Sequence, residues 1–476
     1  MLSKYLYNLL FILSNILFPV ITFSYAARVL GPEGIGKVQV VLSFAQYFVL
    51  VAALGIPAYG VREVAKAAGD PAKLSRLFSE LMMINLLTTL FLLVIYFVVI
   101  SAFGWFHPDI ELYYVGGALV LSGFLTIDWF YNGTEQFRFL SLRSVAIKTV
   151  SLAALVLFVR TPGDLLIYLL INVLSVAVTN LWNLLNLPVK IKLRFRNLEL
   201  KKHMTGLIIL FSTTLAISMY TVVDTLILGF LAGEQSVGFY TAAIKINKIM
   251  IPVIASLGVV LIPKITRSLA SGDQAALRMQ TNQSFAFICL LGIPVSAGLL
   301  IFAPEIMILF SGTGFTDAIP AMQMTASLAF IIGLGHLFGL QLLIPGGYEK
   351  KYLLATIFGM ATSLLVNILL IPEFREKAAA SAIVLSEVVV TGISFYFVNR
   401  LFSLKFNWLL VIKAILACLI FIPVAVLLRE IFSGPAIRLV IAVISSAGLY
   451  FLIQFTVFRD KHVREAVSLV MNNLIR

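Results

Sequence analysis

Two lysines and an aspartate stand where their neighbours are almost all apolar: Asp224 in one hydrophobic run, and Lys245 and Lys248 in the next, beyond a turn at Gly233. An ionisable group at membrane depth is costly and therefore a candidate for function. Asp224 lies roughly as far before the turn as the lysines lie after it, so antiparallel neighbours put all three at similar depth. The i, i+3 spacing of Lys245 and Lys248 places both on one helix face. Such a pair can bind an anion, with Asp224 as counter-ion or proton site; the alternative is a structural Asp–Lys pair that satisfies itself between two helices. Glu387 and Asp128 are carboxylates without a sequence-near partner, and either could take up H+ or Na+ as a coupling ion. Interhelical bonding is the alternative for Glu387, and an interfacial cap beside Trp129 and Tyr131 for Asp128. His336 could titrate near neutrality, or simply be hydrogen-bonded in a bundle. Arg28, beside the first glycine-rich turn with Lys37, and Arg62, at the inner end of a span, are placed to meet an anionic head group. Snorkelling and anchoring explain those two as well.

The elements that hold these residues are membrane helices. The chain is 61% hydrophobic and 12% charged, whereas soluble domains are about one quarter charged. Its mean hydropathy is +1.03. A hydrocarbon core of about 30 Å takes roughly 20 apolar residues per helix, so 476 residues with short connections leave room for about fourteen spans. Breaks at polar, Gly and Pro clusters place them at 6–30, 37–60, 78–104, 112–131, 141–160, 165–188, 204–231, 237–262, 283–303, 320–345, 351–372, 378–399, 407–428 and 437–458. The first run is too long for a signal peptide and is read as a retained helix. The fold class is thus an all-α polytopic membrane protein.

The net charge of +13 is explained by topology rather than by nucleic acid. With Lys4 inside, alternate loops gather Arg62, Lys66, Lys73 and Arg76, then Arg138, Arg143 and Lys148, then the run from Lys190 through Arg194 and Arg196 to Lys202, and finally Lys461 and Arg476. Few basic residues fall on the other side, which puts both termini in the cytoplasm.

The sequence also repeats itself. Leu30-Gly31-Pro32-Glu33-Gly34-Ile35-Gly36 is echoed by Ala232-Gly233-Glu234-Gln235-Ser236-Val237-Gly238, and Gly69-Asp70 by Gly272-Asp273. Such halves are the architecture of transporters whose substrate site lies between two lobes. The basic linker 190–203 separates an N-terminal lobe, 1–189, from a C-terminal lobe, 204–400. Residues 401–476 supply two helices without a repeat partner and a cytoplasmic tail. Because six spans is an even number, the repeat is parallel. The positions aligned with Asp224, Lys245 and Lys248 are Thr22, Ser43 and Gln46, all uncharged, so the charges are no requirement of the scaffold.

Three segments carry a family resemblance: Ala27 to Gly36 after the first span, Tyr131-Asn132-Gly133-Thr134-Glu135-Gln136-Phe137 after the fourth, and Ile344-Pro345-Gly346-Gly347-Tyr348-Glu349 after the tenth. The chain resembles the polysaccharide transporter, or oligosaccharide flippase, branch of the multidrug/oligosaccharidyl-lipid/polysaccharide export superfamily. That resemblance implies two six-helix bundles with two trailing helices. It also implies a secondary transporter of the bacterial inner membrane that moves undecaprenyl-pyrophosphate-linked sugar repeat units to the outer leaflet by alternating access, for O-antigen or other surface polysaccharide. The expected partners are the lipid-linked oligosaccharide, membrane lipids and a polysaccharide polymerase machinery, with no nucleic acid.

A lipid II flippase and a multidrug or cation antiporter of the same superfamily are alternatives, the latter disfavoured by the two extra helices. A membrane glycosyltransferase or polymerase is the reading from another class. It would need catalytic acids or arginines on a sizeable external loop, and the external connections here are short. Neither a phosphate loop of the Walker type nor a metal-ligand spacing occurs; Cys289 and Cys418 lie in apolar runs as buried hydrophobes. No catalytic residue and no cofactor is expected beyond a coupling ion, H+ or Na+.

Overall fold

In lipid every backbone N–H and C=O must be satisfied within the protein, so long apolar runs become helices. The computed structural model describes residues 2–67, 69–188, 191–193, 198–219, 223–460 and 463–464. Lys190, Arg194, Arg196, Lys461 and Arg476, expected among the inner cations, lie outside the described residues, as does the side chain of Lys4. Every regular element among the described residues is helical, and eleven helices are long and apolar enough to cross a membrane.

Two of those eleven hold more than one crossing. At 1.5 Å per residue a straight helix of 54 residues would run about 80 Å, far beyond a core of about 30 Å. The stretch Glu349–Phe402 leaves helical geometry at Arg375, and its halves pack together where Gly359 meets Val390 and Ser386. Likewise the helix Leu2–Ala53 breaks at Gly31, with φ 71° and ψ 177°. Spans one and two, and eleven and twelve, are therefore each read as a pair. The seventh span is split between Lys201–Met219 and Val223–Ala232. With it, the about fourteen crossings of the sequence reading are accounted for.

The sequence echoes are also echoes of backbone. Gly31 and Gly233 both adopt positive φ, as do Gly69 and Gly272, a region that only glycine enters without strain. Asp70 and Asp273, which follow the second pair, each cap the next helix: Asp70 accepts from the Ala72 and Lys73 N–H groups, Asp273 from that of Ala276. The Lys73 and Ala72 N–H groups hold the Asp70 carboxyl below the usual carboxylate range.

The chain divides into two compact units, residues 1–238 and 239–476. In the first, the linker is fastened by a carboxylate that the sequence reading did not single out. Glu80, fully buried, takes Arg76 Nε at 3.0 Å, Lys202 Nζ at 2.9 Å, His203 Nε2 at 2.9 Å and the Glu199 backbone N–H at 2.9 Å. The other ring nitrogen of His203 meets the Tyr59 hydroxyl at 2.8 Å. Removing the carboxylate strands a cluster of cations and a backbone donor at once. Glu80→Ala is expected to cost about 1.5–3 kcal/mol, the range for a hydrogen bond to a charged group, and to open the linker to proteases. A thermal unfolding curve and a limited digest check both; an unchanged melting point and digest would show that the cluster fastens nothing.

In the second unit the trailing helices dock on the bundle. Trp408–Cys418 lies along Gln274–Ile301 and Pro435–Thr456 along Ala303–Ser311. The docking is secured by Arg429, whose Nε and Nη2 grip the two oxygens of Glu305 at 2.7 and 3.0 Å. Elsewhere large apolar side chains such as Phe91, Val94, Val443 and Ile444 stay exposed, as expected of surfaces that lipid covers.

Candidate functional site

The helix Glu234–Ser271 presents two different faces around its lysines. Ala243, Ile244, Ile246 and Asn247 are buried, whereas Lys248 is exposed and Lys245 half-buried. Asn247 fixes this rotation, its Nδ2 donating to Thr325 Oγ1 at 2.8 Å and to the Ala243 carbonyl at 3.0 Å. With Asn247 anchored inward, the i, i+3 pair Lys245 and Lys248 is held together on the open side, as the spacing predicted.

Lys248 is within electrostatic reach of both Lys245 and Glu387. The structure thus brings together two features that stood apart in the sequence: the paired lysines and the carboxylate of Glu349–Phe402. Glu387 is buried beside Tyr352. Lys245, Lys248 and Glu387 all belong to the second unit. Asp224, buried in the helix Val223–Ala232, belongs to the first unit.

Other candidates are placed differently. Asp128 is not a lone interfacial cap: its Oδ1 accepts from Arg143 Nη1 at 2.8 Å and from Asn183 Nδ2 at 2.7 Å. Arg143, expected among the loop cations, is in fact buried and also donates to Asn183 Oδ1. The partner was missed because it was counted with a loop, although it stands nearly two turns inside Phe137–Phe158. Arg62 pairs with Glu63 at 2.9 Å and lies over the Tyr59 ring at 5.2 Å. Arg28 is exposed. Lys37 is bound to Asp109 Oδ1 at 3.0 Å.

Two further features had no signal in the sequence. His336–Leu343 is a π-helix, a form that often marks functional sites. Within it Gln341 accepts from Ser284 Oγ at 2.9 Å and presses against Gly258, one helical stretch beyond the lysines. The second is a reciprocal contact between the two echoed turns, both in the first unit. A Cβ on Gly36 would collide with the Glu234 carbonyl oxygen, and one on Gly238 with the Pro32 carbonyl oxygen. The offset that carries Gly36 onto Gly238 also carries Pro32 onto Glu234, so the contact has local two-fold symmetry.

Among the described residues no group of His, Cys, Asp and Glu could hold a metal ion.

The run of membrane-length helices and the repeated, glycine-pivoted turns define the fold on which these side chains stand. Solved structures agree on the fold. The lipid II flippase MurJ in an inward closed conformation superposes with a TM-score of 0.80 over 96% of this chain and 99% of that one, at 14% identity. An inward-facing multidrug resistance MATE family transporter of the MOP superfamily superposes with a TM-score of 0.66 over 81% of this chain and 94% of that one, at 18% identity. Residues 1–269 match the family model described as polysaccharide biosynthesis protein, and the chain belongs to that family. A putative O-antigen transporter of Escherichia coli K12 is 25% identical over 403 residues, 81% of this chain and 94% of that protein. A probable low-salt glycan biosynthesis flippase, Agl15 of Haloferax volcanii, is 26% identical over 191 residues, 40% of each.

Proposed function

We propose that this protein flips a pyrophosphate-linked oligosaccharide lipid from the inner to the outer leaflet of the bacterial inner membrane, by alternating access, with both termini in the cytoplasm. The observation that carries the reading is the cationic pair Lys245 and Lys248 on the open face of its helix, close to Glu387. Two ammonium groups three residues apart on one helix face suit an anion that carries two linked phosphates. The site has to attract the head group without trapping it, and ammonium groups on flexible stems suit that demand better than a rigid bidentate fork. Glu387 is the place where H+ or Na+ would load and unload, with Asp224 as a second such acid.

The named relatives, an O-antigen transporter and a glycan biosynthesis flippase, support a glycan cargo over a drug. The polysaccharide family supports it over lipid II. No group of the site resembles a glycosyltransferase centre, and transport without catalysis is the reading it supports. Depleting the protein in its host tests it: pyrophosphate-linked repeat units are expected to accumulate in the inner leaflet while surface glycan falls. Unchanged surface glycan, or a defect confined to drug resistance, would refute it.

A further inference from the structure

In the second unit the two halves of Glu349–Phe402 fold back so that their ends meet. The Tyr348 and Phe402 ring centroids lie 5.9 Å apart, and Lys351 Nζ stands over the Tyr348 ring at 5.4 Å and over the Phe397 ring at 5.1 Å. On the same last turns Arg400 Nη1 donates to the Tyr396 hydroxyl at 3.3 Å. Lys350, beside Lys351, and Lys405, three residues past the helix end, are exposed. By the loop-charge reading this end of the unit faces the cytoplasm.

The charge gathered here is not spent on acids. Glu349 is the one carboxylate in the two connections, 346–352 and 399–407, and among the described residues Lys350, Lys351, Arg400 and Lys405 form no ion pair. The cations assigned to the same side of the first unit are engaged differently. Arg62 and Lys66 share Glu63, Lys73 pairs with Asp70, and Arg76 and Lys202 meet on Glu80. A carboxylate cancels a cation, whereas an aromatic face holds it in place and leaves its charge intact. Beside these cations Tyr396 is 56% and Trp408 46% exposed, the Trp408 ring resting on Phe395 at 5.6 Å. Such rings settle at the level of lipid head groups.

We propose that this end of the second unit is a docking surface for an anionic glycerophospholipid, its phosphate met by Lys351 and Arg400 and its glycerol and upper acyl chains covering Tyr396 and Trp408. Charge complementarity selects the occupant: four cations stand against one acid, on helices whose outer faces, with Leu385 and Val388 exposed, are made for lipid. A zwitterionic lipid brings its own ammonium to a surface already cationic. Free phosphate has no apolar part to cover the rings. The surface is separate in purpose from cargo recognition and holds whatever the protein flips.

The test measures binding of fluorescent phosphatidylglycerol and of the same fluorophore on phosphatidylcholine to the purified full-length chain in neutral detergent. Phosphatidylglycerol is expected to bind at least tenfold more tightly, and millimolar inorganic phosphate to leave it bound. Each basic residue near an anionic lipid is worth roughly fivefold, so Lys351→Gln with Arg400→Gln should weaken phosphatidylglycerol about 30-fold and phosphatidylcholine hardly at all. Lys350→Gln with Lys405→Gln, both on exposed side chains, should do the same and keeps the test open if the first pair folds poorly. Lys66→Gln with Lys73→Gln, whose lysines already pair with acids, is expected to bind within twofold of the parent. Equal binding of the two lipids, displacement by phosphate, unchanged binding by both of the first two variants, or an equal loss in the Lys66, Lys73 variant would overturn the proposal. None of these results bears on flipping, which is scored separately.

Discussion

The double variant Lys245→Ala, Lys248→Ala is expected to lose transport by at least about 100-fold while folding normally. Truncating one partner of a desolvated charge pair costs about 2–5 kcal/mol, and 2.7 kcal/mol corresponds to about 100-fold. Because both lysines sit on the open side of a helix that Asn247 anchors from behind, removing their charge leaves the core packing untouched. Thermal stability is therefore expected to be held. A variant that melts well below the wild type would mean that the lysines are structural, bonded to acids that need them. Single replacements by arginine are expected to bind the cargo but release it slowly, because a guanidinium fork grips phosphate bidentately.

The second large effect is expected at the paired turns. Gly36→Ala places a methyl group against the Glu234 carbonyl oxygen, and Gly238→Ala does the same to the Pro32 carbonyl. Backbone atoms cannot swing aside as a side chain can, so the turns must part. If their contact closes the outer face in one half of the transport cycle, either variant should cut transport at least tenfold. It should also expose Ile35, which is 2% accessible with the turns together. An Ile35→Cys reporter with a membrane-impermeant maleimide reads this directly: protected in the parent, labelled in the Gly36→Ala background. Transport at the parental rate, with the reporter still protected, would show that the contact is only packing.

Much of this organisation is legible in the chain. Apolar runs of the right length become spans because a membrane leaves the backbone no alternative. Gly31, Gly69, Gly233 and Gly272 announced their turns because positive φ selects glycine. The pairing of Lys245 with Lys248 followed from helical spacing alone. What stayed hidden depends on tertiary packing. Glu80 falls within the third apolar run, and its partners Glu199, Lys202 and His203 arrive only after three further spans. Arg143 looked like an inner-loop cation until burial beside Asp128 and Asn183 gave it a different part. The break at Leu54 and Gly55 was masked by continuous hydrophobicity across it, since Leu, Gly and Ile are as compatible with an unbroken membrane helix as with an interrupted one. Glu387 could not be joined to Lys248 by spacing, because three whole spans lie between them.

Translocation of a pyrophosphate-linked glycolipid is the proposed activity. Its most direct test is a flipping assay in proteoliposomes that hold only the purified protein and a fluorescent farnesyl-pyrophosphoryl disaccharide, scored by the fraction of probe reached by an external quencher over time. Fast equilibration is expected with the wild-type protein and near-basal equilibration with the Lys245→Ala, Lys248→Ala variant at equal protein content. Equal rates for the two proteins, or no translocation by the wild type under any H+ or Na+ gradient, would contradict it.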